Sequence, residues 1–156
     1  MKYCAVCLAA KDEEYYLQEW VEYHLRIGFD AIIIYDNGST IPIKQILYNF
    51  ITLGRVIVHE VPGDFLQSKF YTSCIEQYRS EFKWIAFIDS DEFIFPKKYS
   101  NIKIFLAEYE DYGGVVANWV NFGTSGLLKR KDNSQIFNFI LTDDEESSTI
   151  KSIVQP

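Results

Sequence analysis

The chain has 156 residues, 48% of them hydrophobic and 17% aromatic, with 15 basic against 22 acidic side chains and a formal net charge of -7. This length suits one domain with a real core, and the composition excludes a disordered chain. The acidity, with no basic tract anywhere, argues against a nucleic-acid partner; an anionic ligand would need a divalent cation or a local basic pocket.

Met1-Lys2-Tyr3-Cys4 leads into a short apolar run that Lys11-Asp12-Glu13-Glu14 soon breaks, which is not the pattern of a signal peptide. No apolar stretch approaches a membrane span. Three cysteines, an odd number, argue against a disulfide framework and for a reducing, cytoplasmic location. Cys4 and Cys7 form a C-x-x-C, but inside a strand over Tyr3 to Ala9 they face opposite sides, so metal or redox chemistry is not expected of them.

After that strand, a helix is expected from about Glu13 to Ile27, with Leu17, Trp20, Val21, His24 and Leu25 at helical spacing and Gly28 as its stop. Ala31 to Tyr35 reads as a second buried strand, ending in Asp36-Asn37-Gly38-Ser39-Thr40. Pro42 opens a short helical stretch through Phe50, and Arg55 to Glu60 is a third strand closed by Pro62-Gly63-Asp64. A helix from about Phe65 to Tyr78 leads to the apolar run that starts at Trp84 and stops in Asp89, Asp91 and Glu92. Ser100 or Asn101 caps a further helix, Gly113-Gly114 ends it, and Val115 to Val120 is another strand. Lys131 to Ser134 and Asp143 to Glu146 read as loops, and Ile150 to Pro156 as the start of another element. Alternating strands and helices of this kind mean an α/β class, with parallel strands joined by right-handed crossovers and helices on both faces.

Parallel strands share one carboxyl-end edge, so Asp12, Asp36, Asp89 and Asp91 are expected to converge there, where open α/β sheets keep their ligands. Two aspartates separated by one residue can offer oxygens to a common hard cation, which can in turn hold a nucleotide's phosphates. The plainer reading of the Asp89 cluster is a solvated acidic turn, and Asp36-Asn37-Gly38 is equally a turn. No glycine-rich phosphate loop of either common kind occurs. His24 reads as a core residue and His59 as a structural one.

The segments Ala10 to Glu14, Glu19 to His24, Ile34 to Ser39 and Phe87 to Phe93, in this order, resemble the GT-A glycosyltransferases, nearest to their family 2-like and family 92-like members. The resemblance implies a GT-A (Rossmann-like), mostly parallel sheet over residues 1–156, a single nucleotide-sugar-binding domain expected to stop short of the family's usual C-terminal portion. It makes Asp89-Ser90-Asp91 the Asp-x-Asp motif, with Asp91 the direct ligand of Mn²⁺ or Mg²⁺ and Asp89 near the ribose or the metal's waters. It places Asp12 and Glu13 beside the nucleotide, Asp36 on the nucleoside, Gln67 and Lys69 at the border of the donor pocket, and Trp119 to Gly126 on the acceptor side. The implied reaction moves a sugar from a nucleotide-diphosphate donor to a saccharide or other hydroxyl acceptor. Three alternatives stay open: a nucleotide-sugar-binding module without turnover, a nucleotidyltransferase, and a phosphatase with an aspartyl nucleophile.

Overall fold

Long apolar runs make strands here because both of their faces find cover. A computed structural model of the chain describes residues 1–63, 67–129, 134–142 and 147–156. Strand β1 (Lys2–Ala10) is followed by α1 (Leu17–Arg26), β2 (Ala31–Asp36), the short helices α2 (Ile43–Ile46) and α3 (Tyr48–Thr52), and β3 (Val56–Glu60). Then come α4 (Gln67–Tyr78), β4 (Phe82–Phe87), α5 (Ile102–Ala107), β5 (Gly114–Asn118), α6 (Gln135–Asn138) and β6 (Ile150–Val154). Residues 64–66, 130–133 and 143–146 lie outside the described residues, and with them the start of the expected Phe65 helix, most of the loop expected over Lys131 to Ser134 and the loop expected over Asp143 to Glu146.

The six strands form one sheet in the order β3-β2-β1-β4-β6-β5. β1 pairs in parallel with both β2 and β4, with Ala10 opposite Asp36 and Cys7 opposite Phe87, so the carboxyl ends of these strands share one edge. The strand order departs in two directions from β1, which makes the crevice between the ends of β1 and β4 the switch point where such sheets bind ligands. The residues at 150–156 do begin a further element, but β6 runs antiparallel to both β4 and β5 and fills the space between them.

Alternation along each strand sorts side chains into two cores. Cys4, Val6 and Leu8 of β1, Ile32 and Ile34 of β2, and Trp84 and Ala86 of β4 pack under Leu17, Trp20 and Val21 of α1 and under Ile102 and Leu106 of α5. Ala5, Cys7, Ile33, Ile85 and Phe87 point to the other face, against Phe70, Cys74 and Tyr78 of α4. Cys4 and Cys7 therefore belong to different cores, and all three cysteines are free. The Asn101 side chain accepts a hydrogen bond from Lys103 N at 2.8 Å and so caps α5. Gly28, at φ +112°, is required after α1: an added Cβ would fall 2.7 Å from the Asn101 side chain.

α1 starts four residues later than the sequence periodicity predicts. Glu13 O accepts hydrogen bonds from Tyr16 N at 3.4 Å and Leu17 N at 3.2 Å, a turn that leads into the helix. His24 is fully buried, and its Nδ1 lies 2.8 Å from Trp20 O while Ile94 N donates to its Nε2 at 3.4 Å. An N–H can only donate, so Nδ1 carries the ring proton. Burial pulls the His24 pKa down to about 3, which keeps the ring neutral. His59 rests on Tyr35 and lies 2.7 Å from the Tyr78 hydroxyl, a packing role within β3. No helix among the described residues is long and apolar enough to cross a membrane.

Candidate functional site

Just past β4 the chain buries Ile88 in the core and then turns. Asp89 N donates to Glu92 Oε2 at 2.8 Å and Glu92 N donates to Asp89 O at 3.2 Å, a closed turn with Ser90 and Asp91 at its tip. α1 anchors the far side of the turn: Trp20 Nε1 donates to Glu92 O at 2.8 Å and Tyr23 Oη to Ile94 O at 2.9 Å. The solvated-turn reading thus describes the backbone correctly but leaves out the anchoring.

A cleft of about 540 Å³ opens over this tip. It is lined by Ala9 of β1, Glu13 and Tyr16 from the turn before α1, Gln67 of α4, the Asp89-Ser90-Asp91 tip and Gln135 of α6. Among these lining residues three are acids and none is a base, so their charge disfavours a phosphate that brings no compensating positive charge. Gln67 Nε2 donates to Asp89 Oδ1 at 2.7 Å and fixes that carboxylate from α4. The exposed Asp91 carboxylate has no hydrogen bond or ion pair with the described residues.

Of the residues expected at the edge, Asp89 and Asp91 line the cleft, together with Glu13 and Gln67, which the resemblance had placed at the donor site. Asp12 and Asp36 stand beside the cleft rather than in its lining. Asp36 is only 3% exposed and accepts hydrogen bonds from Ser39 N at 2.8 Å and Ile43 N at 3.2 Å, which realises the turn reading of Asp36-Asn37-Gly38. Asp12 sits at φ +56°, a backbone conformation that side-chain-bearing residues rarely adopt. It locks onto the same loop, with Thr40 N donating to its Oδ1 at 2.7 Å; this hydrogen bond holds the carboxyl below its ordinary pKa. Lys69 is exposed on α4 and does not line the cleft.

Three further residues carry weight that sequence reasoning did not assign. Tyr16 lines the cleft and also a second hollow of about 260 Å³, to which Thr124 of the 119–126 loop, Leu127 and Asn138 contribute. Gln135 is held in place by Glu19, whose two oxygens accept from Ser134 Oγ and Gln135 N, each at 2.6 Å. Lys151 of β6 places its ammonium 2.5 Å from Asp89 Oδ2 and 3.2 Å from Glu92 Oε2. Desolvation pulls its pKa down, but the Asp89 hydrogen bond and the Glu92 charge outweigh that and hold it above the ordinary lysine value. Glu92 itself is raised, chiefly by burial.

A sheet of this order, with an acidic turn at the carboxyl end of β4, defines the GT-A class of glycosyltransferase folds. The S. aureus TarS structure (residues 1–349) is similar, with a TM-score of 0.54 and 20% identity over 74% of this chain and 34% of that one. The same TarS fragment in complex with UDP-GlcNAc gives a TM-score of 0.55 at 19% identity, over 74% of this chain and 33% of that one. Glycosyltransferase family 92 matches across residues 2–156, and the chain belongs to that family. A family 92 protein of Oryza sativa subsp. japonica is 34% identical over 129 residues, 80% of this chain and 22% of that protein. The galactan β-1,4-galactosyltransferase GALS2 of Arabidopsis thaliana is 29% identical over 120 residues, 70% of this chain and 23% of the enzyme. The chain thus spans under a quarter of the length of these relatives.

Proposed function

We propose that residues 1–156 form the donor-binding domain of a metal-dependent glycosyltransferase, which moves a sugar from a nucleoside diphosphate to a hydroxyl of a saccharide acceptor. The observation that carries this reading is the exposed Asp91 carboxylate, without a partner among the described residues and held next to Asp89 on an anchored turn at the switch point of the sheet. Family membership supports it, as do the galactosyltransferase relative and the UDP-GlcNAc complex of TarS.

The donor set suits Mn²⁺ or Mg²⁺. Among the described residues no group of three acids, histidines or cysteines is arranged to cage a metal. Hard cations of this kind are commonly held by one or two carboxylates together with substrate phosphates, and Asp91 with Asp89 supplies such a pair. When bound, the cation would stabilise charge on the leaving diphosphate. The protein's own contribution is placement. Gln67 orients Asp89, Glu13 borders the nucleotide, and Asp12 and Asp36 shape the 37–43 loop beside it. In this reading Lys69 acts at the outer border of the donor pocket. The hollow beyond Tyr16, with Thr124 of the 119–126 loop, is where the acceptor sits.

Calorimetry with UDP and Mn²⁺ tests the reading. Asp91→Asn should weaken UDP binding in the presence of Mn²⁺ by about tenfold or more while leaving the unfolding midpoint nearly unchanged, because the wild-type carboxylate is exposed. Unchanged affinity would remove the metal role of Asp91. Tight UDP-sugar binding with no hydrolysis over a panel of donors would favour a module without turnover.

A further inference from the structure

Lys151 enters the site from an unexpected direction. It stands on β6 opposite Ala117 of β5, in the antiparallel part of the sheet, and its ammonium reaches across to the turn after β4. The contact is well supported. The Nζ is 5.4 Å from the centroid of the Trp119 ring, and the side chain is only 21% exposed. Because Gln67 already occupies Asp89 Oδ1, Lys151 sits on the remaining oxygen, the one that an incoming cation would share. Glu92 Oε2, which also accepts Asp89 N, is drawn into the same pair at 3.2 Å.

A positive charge so close to Asp89 repels a second cation at the same carboxylate, and partial burial limits screening by solvent. Phosphates change the balance, since their negative charge offsets the repulsion and the flexible four-carbon stem of lysine lets its ammonium turn toward them. We propose that Lys151 is a positioning residue that holds Asp89 and opposes a divalent cation in the nucleotide-free site, so that cation and nucleotide diphosphate bind as a coupled pair. The inference rests on the donor-site reading above. Coupling of this kind is reciprocal: whatever UDP adds to Mn²⁺ affinity, Mn²⁺ adds to UDP affinity.

The test is a Mn²⁺ titration followed by loss of the free-ion electron paramagnetic resonance signal, with and without UDP. It compares the wild type with Lys151→Met, Lys151→Gln and Lys151→Arg. The two neutral variants should bind Mn²⁺ alone about tenfold tighter, and the enhancement by UDP should shrink by a similar factor. Lys151→Arg keeps the charge and should keep weak binding of Mn²⁺ alone. Circular dichroism checks folding. Lys151→Gln retains a donor for Asp89 should the methionine variant fail to fold. Neutral variants that fold and bind Mn²⁺ as the wild type does would overturn the role of Lys151 alone, as would an arginine variant that behaves like the neutral ones. Absence of both Mn²⁺ and UDP binding in the wild type would overturn the donor-site reading itself, and this inference with it.

Discussion

In β1 and β2 residue after residue is buried, from Cys4 to Leu8 and from Ala31 to Asp36, whereas in β5 Gly114, Val116 and Asn118 are exposed and only Val115 and Ala117 are partly covered. Both strands of the first pair lie between helices, with α1 on one face and α4 on the other. β5 is an edge strand of the sheet, held through its pairing with β6. The candidate site lies where these two regions meet. The parallel part, through the turn after β4, supplies the carboxylates; the chain after β5 supplies Lys151, which pairs with Asp89, and Gln135, which lines the same cleft. Stability is thus concentrated in one region, while the groups that set the charge of the site come from both.

The comparison breaks most readily at Trp20. Trp20→Ala should cost about 3–5 kcal/mol in urea unfolding, because a fully buried ring and its hydrogen bond to Glu92 O are lost together. Val116→Ala, on the exposed side of β5, should change stability by less than about 0.5 kcal/mol. Similar costs at the two positions would dissolve the distinction.

A pH effect of intermediate size should come from His24. Its pKa falls from 6.5 to about 3 on folding, so between these values the unfolded chain binds more protons. Stability therefore falls as pH drops below the unfolded value. Between pH 7 and pH 5 this one group should remove about 2 kcal/mol. Urea melts at the two pH values should show a smaller loss in His24→Gln, and equal losses would mean that the buried ring does not carry the effect.

The smallest change sharpens the comparison within the second region. Glu19→Ala removes both charge-assisted hydrogen bonds to the start of α6, and should lower the local opening free energy of residues 134–138 by about 1–2 kcal/mol. Hydrogen exchange at those amides should accelerate while amides in β1 and β2 stay protected. Uniform acceleration across the sheet would show that α6 is not a separate opening unit.

The elements of the parallel region were legible because burial on both faces writes itself as an apolar run, and the acids after Ile34 and Ile88 mark where those runs stop. The start of α1 was harder. Glu13 to Tyr16 carry helical composition but form a turn, and Tyr16 of that turn lines the cleft. Asp36 illustrates a different limit: Asp-Asn-Gly is compatible with either a ligand contact or a turn, and only the hydrogen bonds from Ser39 N and Ile43 N reveal the turn. Nothing near Lys151 marked it, since its partner Asp89 is 62 positions away and β6 had no helix-to-strand rhythm before it.

Local order and the position of the acidic turn follow from the amino-acid sequence alone, because apolar periodicity and turn chemistry act over a few neighbouring residues. The antiparallel placement of β6 between β4 and β5 was decided only by tertiary structure, and so was the meeting of Lys151 with Asp89 and of Glu19 with Gln135. These contacts join residues that the chain brings together only once the sheet has assembled, and their strength comes from a partly buried setting that no short segment possesses.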